Sequence, residues 1–241
     1  MAFIDTLSNY GCGHSEQLIG EAIVGQRDRL VLATKFGYVR DSETREIFGP
    51  DVSEAAVRSM LRQSLVNLRT DVIDLYQLHV GNLQVDEALR VRDLLEQLVV
   101  EGQIRTYGWS TNSAALIGEF VQGDHCVAIQ RHFNLFERSP AVLGICRAAG
   151  VTSVARGPLG MGLLTGKYTH ETVMPKSDFR NNWDCAQGEQ AEQIDRLNQV
   201  RKDLARERHT LPQAAWRGSS PTATASCRFR DSGTSGKSGI R

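Results

Sequence analysis

The stretch Val72-Ile73-Asp74-Leu75-Tyr76-Gln77-Leu78 is a short, largely apolar run that stops at a polar residue, His79. What flanks it decides the fold. Upstream, Asp51-Val52-Ser53-Glu54 opens a segment of helical period, in which Asp51 is expected to cap and Glu54 to reach back as a capping box. Val57, Leu61, Ser64, Leu65 and Leu68 form the buried stripe of that helix. Downstream, a helix over about 85–101 turns Leu94, Leu95, Leu98 and Val99 inward. A short apolar run between two amphipathic helical segments is the pattern of a βαβ unit.

The same alternation extends in both directions. Toward the N-terminus, Ala2-Phe3-Ile4 ends at Asp5, a helix follows from a Ser15 cap with Leu18, Ile19, Ala22 and Ile23 on one face, and Leu30-Val31-Leu32-Ala33 runs to Lys35. Toward the C-terminus, Tyr107-Gly108-Trp109 stops at Ser110, a helix spans about 114–121, and Cys126-Val127-Ala128-Ile129 stops at Gln130. Ser139-Pro140 then opens a helix to about Ala149, and Val151-Thr152-Ser153-Val154-Ala155 ends at Arg156. In a parallel barrel these strand ends share one face, the carboxyl-end face that carries active sites. Asp5, Lys35, His79, Ser110, Gln130 and Arg156 are therefore expected to converge.

Composition narrows the function. A chain of 241 residues is about the size of one (β/α)8 domain, roughly 250 residues. The 28 basic and 28 acidic residues cancel, so no overall field gathers nucleic acid or a membrane surface. The opening Met1-Ala2-Phe3-Ile4-Asp5 has neither a basic nor an apolar leader region, and a cytoplasmic location is expected. Cys12, Cys126, Cys146, Cys185 and Cys227 lack CxxC spacing, which argues against a zinc site and a disulfide scaffold; no metal is expected.

The segment from Phe3 to Glu16, with Asp5, then Tyr10 five residues on, then Gly11-Cys12-Gly13-His14-Ser15-Glu16, resembles the signature of the aldo-keto reductase family. Ala33-Thr34-Lys35 resembles that family's lysine strand, and Asp71 to His79 its histidine strand. Gly102 to Ser110 resembles its next strand, and Pro158 to Tyr168 its phosphate-side loop. The resemblance implies a (β/α)8 TIM barrel that reduces an aldehyde or ketone to an alcohol with NADPH, acting on a small-molecule carbonyl substrate.

It further implies a catalytic tetrad of Asp5, Tyr10, Lys35 and His79. The residue types suit the chemistry. Carbonyl reduction needs a proton for the developing alkoxide. A free tyrosine is a poor acid at neutral pH, and a nearby lysine ammonium favours the phenolate. Asp5 would hold Lys35, and His79 would aim the substrate carbonyl. By the same resemblance Ser110 and Gln130 hold the nicotinamide carboxamide, Arg156 stacks on the ring, and Pro158, Leu159, Gly162 and Lys167 approach the pyrophosphate. Thr111 stands where the family commonly has Asn, with Asn112 one place later. Taken singly, Asp5 reads as a turn cap, Tyr10 as a rim aromatic, Lys35 as a solvated charge and His79 as a structural histidine. A P-loop reading of Gly166-Lys167 fails, since Met161 replaces the required glycine and Tyr168 the Ser or Thr.

The two ends depart from the family. Its chains normally carry one more strand and helix before the Asp5 strand, so the barrel is expected to be incomplete, with first and last strands missing. Residues 1–211 are expected to form the partial barrel, including a helix over about 189–208 with Ile194, Leu197, Val200 and Leu204 on one face. Residues 212–241 are rich in Ser, Gly, Thr, Ala and Arg and are expected to be a disordered, non-family tail, with the composition of a GC-rich gene read out of frame. No 2′-phosphate clamp is recognisable there. The alternative to an active reductase is an inactive remnant or a nucleotide-binding regulatory module related to the family.

Overall fold

A computed structural model of the chain describes residues 2–40, 47–178, 180–205 and 210–218. The chain forms two compact units. The first runs to Arg131 and takes in Pro140–Val154; the second takes in His132–Ser139 and the described residues from Ala155 on.

In the first unit the apolar runs become strands β1 (Ala2–Asp5), β2 (Leu30–Phe36), β5 (Ile73–Leu78), β6 (Ile104–Ser110) and β7 (Cys126–His132). They alternate with helices α1 (His14–Ala22), α2 (Glu54–Leu68), α3 (Val85–Val100), α4 (Ala114–Phe120) and α5 (Pro140–Ala149). With β8 (Thr152–Arg156) they make one sheet in the order β1-β2-β5-β6-β7-β8. The pairs from β1 to β7 are parallel, with Asp5 beside Ala33, Lys35 beside Gln77 and Ser110 beside Gln130. This is an α/β half-barrel, as an incomplete barrel requires. An antiparallel hairpin of β3 (Tyr38–Arg40) and β4 (Ile47–Pro50) follows β2 and was not legible in the loop sequence.

Strand alternation sorts the side chains by face. Phe36, Tyr76 and Leu78 point to the helix side, where Phe36 and Tyr76 stack at 4.4 Å and Trp109 and Tyr107 meet Phe120. Ala33, Leu75, Val127 and Ala128 make a small apolar patch on the other face. Lys35 and Gln77 lie two residues beyond Ala33 and Leu75 and so continue that face into polar chemistry. Two glycines permit close approach: a Cβ on Gly108 would stand 2.4 Å from the Ala128 carbonyl oxygen, and one on Gly20 2.4 Å from that of Asn67.

Several local expectations need correction. Ser15 is not a cap. Helix α1 starts at His14 after Gly13, whose φ of 88° is left-handed, and the Ser15 hydroxyl pairs with that of Thr6 at 2.9 Å. Leu18 and Ala22 face solvent, because α1 turns Glu16, Gly20 and Ile23 inward to bring its backbone close to α2. The Asp51–Glu54 capping box does not form, since α2 starts two residues later than it requires. Ser53 caps instead, accepting from the Ala56 N–H, while Asp51 accepts from the Ser53 N–H at 2.9 Å and Glu54 pairs with Arg58.

The second unit has its own core. A 3-10 segment (Gly160–Thr165) and helices α6 (Gly188–Ala205) and α7 (Leu211–Gly218) bury Leu163, Leu164, Ile194, Leu197 and Ala215, with Val200 packed alongside. The start of the expected tail is thus helical: within residues 212–218, Ala215 is a core residue. Residues 219–241, and the side chain of Leu204, lie outside the described residues.

Candidate active site

Asp5 is the hub. Its Oδ2 accepts from Lys35 Nζ at 2.7 Å and from Gln130 Nε2 at 3.0 Å, and its Oδ1 accepts from Gln77 Nε2 at 3.0 Å. Lys35 also donates to the Thr6 carbonyl at 2.9 Å, and its own carbonyl accepts from Ser8 Oγ at 3.1 Å. The ammonium is 4% exposed as a residue, so it is a paired internal charge rather than a solvated one. Strand geometry explains the meeting: Lys35, Gln77 and Gln130 each occupy the same alternate face of their strands, and the curl of the sheet brings β1 and β7 within hydrogen-bond reach.

Ser110 Oγ donates to Gln130 Oε1 at 3.3 Å, so the two residues assigned to the nicotinamide carboxamide are neighbours, with Gln130 tied on to Asp5. Thr111 is directed elsewhere, donating to the Gly81 carbonyl at 2.7 Å. His79 follows β5; its N–H donates to the Phe36 carbonyl at 2.8 Å and its ring meets the Tyr38 ring edge-on at 5.7 Å. Tyr10 opens a 3-10 turn (Tyr10–Gly13) anchored by its N–H to the Leu7 carbonyl, and is 57% exposed. The structure therefore joins Asp5 and Lys35 directly, places His79 one residue past the strand that adjoins Lys35, and presents Tyr10 to solvent on the turn after β1.

Sequence reasoning missed Gln77 and Glu16. Gln77 is wholly buried, and its position beside Lys35 in register was the available clue. Glu16, also wholly buried, accepts from Thr34 Oγ1 at 2.7 Å and Asn67 Nδ2 at 3.0 Å, locking α1 to β2 and α2 just beyond the Tyr10 turn. Burial first and the Glu16 carboxylate second push the nearby Tyr76 phenol well above its ordinary range. The buried thiols are inert by the same logic: burial pushes Cys146 up to about 11 and Cys126 higher still. Among the described residues no cluster of His, Cys, Asp or Glu could hold a metal, and no helix is long and apolar enough to cross a membrane.

The second unit carries the remaining predicted contacts. Arg156 ends β8 and its carbonyl accepts from the Phe133 N–H. From Pro158 to Lys167 the backbone takes positive φ at Gly160, Met161, Gly162 and Gly166, and Leu159 packs on the local core. Lys167 Nζ lies 4.8 Å over the Tyr168 ring, and Arg180 donates to the Met161 carbonyl at 2.7 Å, so two cations border this turn.

Known proteins resemble the chain in sequence and in fold. The uncharacterized oxidoreductase YqkF of Bacillus subtilis (strain 168) is 38% identical over 168 residues, 68% of this chain and 54% of that protein. Among solved structures, the glycerol dehydrogenase AKR11B4 from Gluconobacter oxydans superposes with a TM-score of 0.72 at 32% identity, over 86% of this chain and 64% of that one. An aldo/keto reductase from Klebsiella pneumoniae, solved in complex with NADP and acetate, gives 0.59 at 26% identity, over 89% and 64%. The chain thus spans just over half of that curated relative and under two thirds of those solved chains. The profile of the Aldo/keto reductase family matches residues 1–217, and with the carboxylate-bound lysine of β2 set on the expected parallel sheet, the chain belongs to the Aldo/keto reductase family.

Proposed function

We propose that this chain is the greater part of an NADPH-dependent reductase that converts a small aldehyde or ketone to the alcohol in the cytoplasm. The observation that carries the reading is the buried Lys35 ammonium held by Asp5 at 2.7 Å, on the strand next to the one that His79 follows.

In this reading Tyr10 gives its hydroxyl proton to the carbonyl oxygen as it becomes an alkoxide. Its exposed turn leaves that hydroxyl open to an incoming substrate. Lys35 favours the phenolate left behind, and Asp5, itself held by two carboxamides, keeps Lys35 charged and in place. His79 donates to the carbonyl oxygen and selects the face presented for reduction.

The residues fit the cofactor in kind. The run of positive φ between Gly160 and Gly166 would let backbone approach a pyrophosphate closely, and Lys167 would offset its charge, with less from Arg180, which Asp178 already pairs at 2.7 Å. Ser110 and Gln130 would hold the carboxamide, Arg156 would stack on the ring, and Pro158, Leu159 and Gly162 would line the phosphates. Bound NADPH supplies the hydride. The Klebsiella relative solved with NADP supports the choice of cofactor. The test is NADPH oxidation with an aromatic aldehyde by the wild-type chain and Tyr10→Phe. Turnover lost in the variant with nucleotide affinity retained is the expected result; nucleotide binding without turnover in the wild type would favour the regulatory-module reading instead.

A further inference from the structure

A cleft of about 580 Å3 opens between α1 and α2 in the first unit, apart from the Asp5–Lys35 centre: none of Asp5, Tyr10, Lys35 and His79 lines it. Its long wall is one face of α2, where Ala56, Ser59, Met60, Gln63 and Asn67 recur at helical spacing. Gln17 faces them from α1, and Ser8, Tyr38 and Val39 close the end nearest the strand termini. The volume lies within the range of small-molecule pockets, about 300–1,000 Å3.

The lining selects the ligand class. Among the described residues no Lys, Arg or His borders the cleft, and Asp51 is the charged group present. A phosphate or carboxylate would lose water against described lining residues that offer it no cation, and an ammonium would find among them only Asp51, which is exposed, screened by water and already accepts from the Ser53 N–H. The remaining polar groups are neutral hydroxyls and carboxamides set beside the apolar Val39, Ala56 and Met60; Ser8 donates to Lys35, Gln63 to Asn67 and Asn67 to Glu16, so Gln17, Tyr38, Ser59 and the Gln63 oxygen are the groups set to meet an occupant. We infer that the α1–α2 cleft binds a neutral, hydroxyl-bearing small molecule, of the class of short polyols.

Its position couples it to the centre. Ser8, in the wall, donates to the Lys35 carbonyl at 3.1 Å; Tyr38, also in the wall, packs edge-on against His79 at 5.7 Å; and Cys12 lies two residues after Tyr10 on the same turn. An occupant touches the supports of three of the four tetrad positions. Binding there requires no turnover and stands apart from the proposed reaction.

Met60 is a built-in reporter, because the Gly37 N–H donates to its sulfur at 3.4 Å and fixes the side chain at the wall. The full chain labelled at its methionine methyls is titrated with erythritol, with succinate and with 1,4-diaminobutane, and followed by NMR. Erythritol should move the Met60 methyl saturably and leave Met161 and Met174, which belong to the second unit, in place. Succinate and the diamine should leave Met60 unmoved. Ser59→Trp, an exposed position on the cleft wall, should weaken the erythritol response at least tenfold, with a wild-type far-UV circular dichroism spectrum and melting temperature showing that the variant folds. No saturable response to erythritol, an equal or tighter one to either charged probe, or an undiminished response in the folded Ser59→Trp chain would overturn the inference.

Discussion

Gln130 Nε2 lies 3.0 Å from Asp5 Oδ2, joining the first and fifth strands of the sheet order through side chains 125 residues apart in sequence. That bond registers the curl of the sheet. Gln77 meets the other carboxylate oxygen, so Asp5 has three donors before any ligand arrives. Gln77→Leu, which loses one bond to the carboxylate, should lower stability by about 1.5–3 kcal/mol, and Gln130→Leu, which loses the Ser110 bond as well, by at least as much. Urea unfolding of the two variants measures this, and a pair as stable as the wild type would show that the clamp is incidental.

Lys35→Met leaves the Asp5 carboxylate facing only carboxamides. On the reductase reading it should reduce kcat by about 10²–10⁴-fold, the usual weight of a proton-transfer device, while nucleotide Kd stays within a factor of a few. Steady-state kinetics beside fluorescence titration separates the two effects. Equal losses in both would assign Lys35 to cofactor binding or folding.

The close-packed glycines give a stability test free of chemistry. Gly108→Ala drives a methyl into the Ala128 carbonyl, and Gly20→Ala drives one into that of Asn67; backbone cannot yield cheaply at either, and each should cost about 1–3 kcal/mol. Gly118→Ala, in α4 with open space around it, should instead be neutral or stabilise by up to about 1 kcal/mol through helix propensity. Thermal melts of the three rank them directly.

His170 sits between Asp195, 3.0 Å from Nε2, and the Cys185 carbonyl, 2.9 Å from Nδ1. The Asp195 carboxylate, then that carbonyl, raise its pKa above the ordinary 6.5. A raised value in the folded state means stabilisation fully present below pH 6.5 and lost as pH climbs through the higher folded value. The melting temperature of the wild type should therefore exceed that of His170→Asn most on the acid side, with the gap closing toward alkaline pH. A gap that widens with pH contradicts the pairing.

The sequence by itself determined the repeating unit, the strand ends and the family, because those rest on local information: apolar runs too short for helices, helical spacing between them, and a polar residue at each turn. Asp5, Lys35, His79, Ser110 and Gln130 were all legible as strand-end residues for that reason. The tertiary structure alone decided which of them touch. The Asp5 contacts of Gln77 and Gln130 depend on parallel register and sheet curl, which no window of sequence contains. Capping at Ser53 instead of Asp51, and the outward turn of Leu18, were settled by where α2 begins and by the close seat of Gly20 on Asn67. Glu16 reads as a surface carboxylate until folding brings Thr34 and Asn67 to it; the site's support, unlike its residue types, is made from pairs that meet only once the helices have packed on the curled sheet.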